Sequence, residues 1–402
     1  MSDPHLTRRL LIAGIGSAAV AAGVTGCESR EAKAPVRAPA GPPRSPAHRP
    51  TPRGTASTFN EAALRRKIAS LLVVGFRGEK VSSNDWIMKA IQNGLGGVVL
   101  FDRELHTNAT RNISSPSQVT SLIKTLQGAS PGRRLIVSMD QEGGQIARLN
   151  PSDGFPATKS EADIGAANST ATTRSWAQGL VHSLTSTGVN LNYAPVVDLN
   201  VNPDNPAIGQ LGRSFSADPN VVVKNATEEI QAHRAAGVKT VLKHFPGLGS
   251  ASGNTDFAVV DVSTTWRTIE LEPSQRLISA GVADSVMAAH ILNKQLDPNR
   301  PASLSPAVVT DLLRGKLGWK GPVVSDDMQA VAISSTYGRD ESVAMAFSAG
   351  VDLLVFGNQQ VYDPNIVDET LDNVVNLVRQ GHLSEAQIDA SVARVNTLRP
   401  KR

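Results

Sequence analysis

One cysteine, Cys27, stands in 402 residues. No intramolecular disulfide is possible, and nothing downstream offers a thiol nucleophile or a cysteine-based metal site. The apolar run at residues 10–24 is too short to span a bilayer by itself. No Gly-x-Gly-x-x-Gly follows a strand near the start of the body, which argues against a dinucleotide site. No short-period repeat is apparent. No His-x-His closes the first strand, as many metal-dependent barrel hydrolases require. Basic charge is scarce where it would count. The formal net charge is +4, but residues 1–60 carry eight Lys/Arg against three Asp/Glu. The remainder holds 32 basic and 33 acidic residues, so no nucleic-acid partner is expected.

What is present begins with a targeting segment. Arg8-Arg9 precede the apolar run, as in a signal peptide. Thr7-Arg8-Arg9-Leu10-Leu11 resembles a twin-arginine export signal. Val24-Thr25-Gly26-Cys27 resembles a bacterial lipobox, in which the cysteine is lipidated and becomes the mature N-terminus. Residues 1–26 are therefore expected to be a signal peptide. Residues 27–58, with seven prolines between 28 and 57, are expected to form a disordered, semi-extended tether. The expected location is the outer face of the bacterial cytoplasmic membrane, held there by the lipid on Cys27. In that setting the sequons at Asn108 and Asn112 are chance matches.

From residue 59 to 402, β-rich runs alternate with helical patterns. The candidate strands are 71–76, 97–101, 135–139, 189–197, 238–242, 285–289, 322–325 and 351–356. Helix starts are marked by Ser115-Pro116-Ser117-Gln118 and Ser384-Glu385-Ala386-Gln387, which have capping-box spacing. Asp218-Pro219 and Ser305-Pro306 place Pro at the first helical position. Gly237 and Gly350 sit at helix C-caps directly before strands. Eight such units predict an α/β fold, a (β/α)8 barrel, with a doubly wound sheet as runner-up. With the chain ending soon after the helices that follow strand eight, no second domain is expected.

In a barrel, ligands bind where the strands end. Those positions carry Asp102-Arg103, Asp140-Gln141-Glu142, Asp198-Leu199-Asn200, Lys243-His244, His290 and Ser325-Asp326-Asp327, with Arg213 in a loop. Charged groups are costly to bury unpaired, so core packing does not explain the set. Each has a structural alternative. Asp326 or Ser325 has the spacing to cap a helix starting near Met328. Asp140 can pair with Lys243 or Arg148, and His244 and His290 can be satisfied core histidines.

These motifs resemble family-3 glycoside hydrolases, in the single-domain bacterial β-N-acetylglucosaminidase branch. The resemblance runs over residues 61–395 and rests on Gly96-Gly97-Val98-Val99-Leu100-Phe101, Asp140-Gln141-Glu142-Gly143-Gly144, Asn192-Tyr193-Ala194-Pro195-Val196-Val197-Asp198, Gly212-Arg213-Ser214-Phe215, Lys243-His244-Phe245-Pro246-Gly247, Met287-Ala288-Ala289-His290 and Ser325-Asp326-Asp327-Met328. It implies that Asp326 is the nucleophile of a retaining mechanism. It implies that Asp140, Arg148, Arg213, Lys243 and His244 grip the sugar, with Asp198 and Met328 as neighbours of the pocket. No metal or cofactor is implied. The implied partners are GlcNAc-containing cell-wall saccharides.

The sequence departs from the branch in the loop after strand five. Asn254-Thr255-Asp256 stands where an Asp-Ser-His acid/base dyad is usual, Leu248 replaces a usual His, and Gln145 a frequent Arg. We expect Asp256 to be the acid/base, carried over the sugar by a flexible loop at 247–253. The alternatives are a non-catalytic muropeptide-binding lipoprotein, a β-glucosidase or β-xylosidase, a GlcNAc phosphorylase, and a metal-dependent hydrolase using His244 and His290.

Overall fold

The structure is a computed structural model that describes residues 59–130 and 132–400. The expected signal peptide, the tether and Cys27 lie outside the described residues.

Eight parallel strands form the centre: β1 (Leu72–Gly75), β2 (Gly97–Val99), β3 (Ile136–Met139), β4 (Leu191–Asn192), β5 (Lys239–Thr240 with Leu242–Phe245), β6 (Val286–Ala288), β7 (Val323–Asp327) and β8 (Leu353–Phe356). Strands covered on both faces read as continuous apolar runs, and every residue of Leu72–Gly75 and Leu353–Phe356 is buried. Neighbouring strands pair in chain order, and β8 returns to β1, with Val73 opposite both Gly97 and Val355. Closure falls on β5. Its first piece pairs with β4, Lys239 opposite Leu191. Its second pairs with β6, Leu242 opposite Val286. Val241 joins them and donates its N–H to Asn192 O at 3.1 Å. All eight expected strands are present and the barrel is the observed fold.

Two strands differ from expectation. The fourth is a two-residue ladder, not 189–197, because Pro195 brings no N–H and pairing resumes only as a bridge between Val196 and Lys243. The fifth does not stop at Leu242 but runs through Lys243-His244 to Phe245, so both polar side chains stand on the strand itself.

The surrounding helices start as their caps dictate. Ser115 Oγ accepts from Gln118 N at 3.2 Å above the helix Pro116–Ala129, whose Val119, Leu122, Ile123 and Leu126 are buried. Burying four such side chains is worth on the order of 6–12 kcal/mol before entropy is counted. The box is not reciprocal there, because the Gln118 amide is taken by Ser114 N, Glu79 O and Asn112 O. At Ser384 the reciprocal box is complete. Asp218 caps Pro219–Ala235, and Gly350 ends Arg339–Ala349 at φ 99°. After Ser305-Pro306, Ala307–Lys316 winds as a π-helix. Asn112 is buried, its amide donating to Phe76 O and Gly78 O, so that sequon offers no free amide.

Arg111, also buried, ties strand ends together. It donates to Phe76 O after β1 and to Gly357 O and Asn358 O after β8, and pairs with Glu104 at 3.2 Å. This fixes one sector of the rim where the polar residues emerge.

Candidate active site

A cavity of about 480 Å³ opens at the carboxyl ends of the strands. Asp140, Arg148, Arg213, Lys243, His244, Asp256 and Asp326 all line it. Two expected neighbours do not. Met328 is buried in the core, where its N–H donates to Val355 O at 2.9 Å, and Met287 is the methionine facing the cavity. Asp198 is buried behind His244. Its Oδ2 accepts from His244 Nδ1 at 2.7 Å and from His244 N at 3.2 Å, while Oδ1 accepts from Leu248 N at 2.7 Å. A carboxylate facing Nδ1 places the proton on that nitrogen and leaves Nε2 as the ring's remaining polar atom.

One side of the cavity is an ion-pair lattice. Lys243 Nζ lies 2.8 Å from Asp140 Oδ1 and 2.6 Å from Glu142 Oε1. Arg213 meets Glu142 through two parallel bonds of 2.7 and 2.8 Å, and its Nη1 donates to Ala207 O. Arg148 pairs with Asp140 at 3.2 Å and stands 3.8 Å from Asp102. Burial pushes Asp140 and Glu142 upward, but the adjacent cations outweigh it and hold both carboxyls below their usual range. Burial likewise opposes the charge of Lys243, and Asp140 and Glu142 more than restore it. All stay charged at neutral pH. The structural alternative for Asp140 is thus realised together with its place in the cavity. Glu142, 1% exposed, anchors both cations; the sequence places it at a strand end, but no role was expected of it. The spacing from Asp140, i to i+2 along extended chain, was the available signal.

The opposite side holds carboxyls without cations. Asp326 forms no ion pair among the described residues; its Oδ1 accepts from Asp327 N at 2.9 Å. It caps no helix, since the next one is Val331–Ser334. Ser325 Oγ is engaged by Val355 N. Asp327 accepts from Gly357 N at 3.0 Å and Gln329 N at 3.1 Å, and burial pushes its carboxyl up to about 7. Burial, then the neighbouring Asp326, pushes Asp256 up to about 6. His290 is a satisfied core histidine. Nε2–H donates to Asp327 O at 2.9 Å and Nδ1 accepts from Ser303 Oγ at 2.6 Å, so neither nitrogen is free for a metal.

The loop at 247–253 is not the flexible arm expected from its glycines. Gly249 lies against Leu199, where a Cβ would come within 1.8 Å of the carbonyl oxygen. Asn205 Nδ2 donates to Leu248 O and Gly249 O, Asn202 Nδ2 to Ala251 O, and Glu270 accepts from Ser250 N. Glycine here serves close approach of backbone to backbone.

Comparison with known proteins agrees with the barrel fold. The family model described as glycosyl hydrolase family 3 N terminal domain matches residues 63–398. A β-hexosaminidase of Stenotrophomonas maltophilia is 34% identical over 318 residues, covering 76% of this chain and 87% of that one. β-Hexosaminidase A of Pseudoalteromonas piscicida is 31% identical over 330 residues, 76% of this chain. The chain spans about half of that relative's length, 53%. Among solved structures, a family-3 β-N-acetylglucosaminidase from a Paenibacillus strain superposes with a TM-score of 0.75 at 34% identity, over 83% of this chain and 62% of that one. A β-N-acetylhexosaminidase from Beutenbergia cavernae gives 0.73 at 31% identity, over 83% and 97%.

Proposed function

The chain belongs to glycosyl hydrolase family 3, and from that premise we propose that it removes terminal non-reducing β-linked N-acetylglucosamine by a retaining mechanism. The observation that carries this reading is the pairing, in one cavity, of an uncompensated Asp326 with an Asp256 whose carboxyl is pushed up to about 6. Retaining glycosidases use two carboxyl groups, one as nucleophile and one, with a raised pKa, as proton donor.

Asp326 attacks the anomeric carbon and forms the glycosyl ester. As the bond to the leaving oxygen breaks, the Asp256 carboxyl gives that oxygen its proton. Asp256, now ionised, takes a proton from water. The water attacks the same carbon, releases Asp326 and restores both groups. Asp140, Arg148 and Lys243 supply fixed donors and acceptors for sugar hydroxyls, and His244 offers Nε2. Their mutual ion pairs preorganise them, so orienting the sugar requires little rearrangement. The proposed substrates are peptidoglycan fragments, and the proposed place is outside the cytoplasmic membrane. Arg8-Arg9 and the Cys27 segment of the sequence support that placement.

The test is turnover of an aryl β-N-acetylglucosaminide by wild type and Asp326→Ala, with aryl β-glucoside and β-xyloside as controls. We expect wild-type turnover of the first substrate, falling by at least ~10³-fold in the variant. Full activity in the variant overturns the nucleophile. Wild-type protein that binds GlcNAc without turnover is instead a muropeptide-binding protein.

A further inference from the structure

Four rim loops meet beside Asp256, and three glutamines join them. Gln329, after β7, accepts from Asn358 N at 2.7 Å and donates to Val361 O at 2.8 Å. Gln359, after β8, accepts from Leu105 N at 2.8 Å and donates to Arg103 O at 3.3 Å, both in the loop after β2. Gln360 Nε2 donates to Asp256 O at 2.9 Å, and its own carbonyl faces His106 Nε2 at 3.0 Å. Val331 N donates to the same Asp256 oxygen at 3.3 Å, and Ala332 N to Thr255 O at 3.0 Å. The Asp256 main chain is thus held from the β7 side and the β8 side at once.

We infer that Gln360 is a positioning residue for Asp256, closing a ring of side-chain and main-chain hydrogen bonds that presets the proton donor over the cavity. The inference rests on the acid/base reading of Asp256 above. Proton transfer requires hydrogen-bond reach to the leaving oxygen, and a displacement near 1 Å can cost ~10²-fold in rate. With the loop at 247–253 built into the barrel, no hinge there delivers Asp256. Its place depends on what its main chain is fastened to. Among the described residues, Gln360 is the one side chain bonded to the Asp256 carbonyl, and it also lines the cavity.

The experiment is a double-mutant cycle in the full chain. Gln360→Met keeps the bulk of the side chain and removes the donor; Asp256→Ala removes the acid. Both are assayed on an alkyl β-N-acetylglucosaminide, a poor leaving group, and on an activated aryl one. We expect Gln360→Met to lower kcat about 10- to 100-fold on the alkyl substrate and under about 3-fold on the aryl one. In the Asp256→Ala background it should have no further effect. The basic limb of kcat/KM should move to lower pH as Asp256 gains solvent. Gln360→Glu, which keeps the shape and replaces the amide donor by a carboxylate, should lower kcat alike, while its added negative charge opposes the downward move of the basic limb; it covers any folding defect of the first variant. Equal losses with and without the Asp256 carboxyl, or wild-type rates in both Gln360 variants, overturn the inference. If Asp256→Ala alone keeps full activity on the alkyl substrate, the acid/base assignment itself falls, a separate result.

Discussion

The two sides of the cavity treat the same functional group in opposite ways. On one side Asp140 and Glu142 share Lys243, Arg213 and Arg148. On the other, Asp256, Asp326 and Asp327 face one another without a cation in contact among the described residues. Compensation freezes a carboxylate in its charged form and fixes its position, which suits the holding of hydroxyl groups. Lack of compensation leaves burial unopposed at Asp256 and Asp327 and pushes both carboxyls upward, which suits proton transfer. Burial is common to both sides, so the neighbours decide which outcome follows.

The largest contrast should come from deleting one carboxylate on each side. Glu142→Ala leaves Arg213 without its anion in a buried site and leaves Lys243 with Asp140 alone. Breaking a buried pair in this way costs about 3–5 kcal/mol, so thermal unfolding should shift down sharply and activity should fall with it. Asp326→Ala relieves like-charge repulsion, so its melting temperature should equal or exceed wild type while turnover is lost. Parallel melting curves and rates check both. Equal destabilisation by the two substitutions would erase the distinction.

Next in size is the effect of Asp256 on poor leaving groups. Asp256→Asn should cost about 10²- to 10⁴-fold there, the usual range for a general acid. The pH dependence follows from the raised carboxyl. The protonated form is the active donor, so kcat/KM should fall as pH rises through about 6, and Asp256→Asn should abolish that limb. A basic limb unchanged in the variant would assign the titration elsewhere.

The barrel was legible because its strands are buried on both faces and therefore apolar throughout, with caps and glycines punctuating the helices. The cationic half of the cavity was legible because Lys243, Arg213 and Asp140 stand at strand ends or in a recognisable motif. The break in β5 was not legible, since Val241 reads as ordinary strand and only the closing geometry splits it. Nor was the π-helix after Ser305. The role of Gln360 depends on four loops distant in sequence meeting in space, which no local pattern encodes. The glycines of 247–253 misled because the same residue serves flexibility and close packing alike.

Beneath the compensated side lies a pair of carboxyls that sharpens the comparison further. Glu161 and Glu229 are buried, and neither oxygen of Glu229 has a hydrogen-bond partner among the described residues. Burial, and then Glu229 for Glu161 and Glu142 for Glu229, pushes both well above the usual range. They lie close to Lys243 electrostatically but lack direct pairing with it, so they belong with the uncompensated class despite their position. A folded-state value above the unfolded one means stability is fully present below the unfolded value, about 4.3, and is lost as pH rises toward the folded one. Glu229→Gln keeps the shape and removes the ionisation. Its melting temperature should exceed that of wild type by about 2 °C at neutral pH, and the gap should widen as the pH is raised. A gap independent of pH would show that Glu229 is charged and paired in the folded protein, and that proximity to Lys243 suffices for compensation without contact.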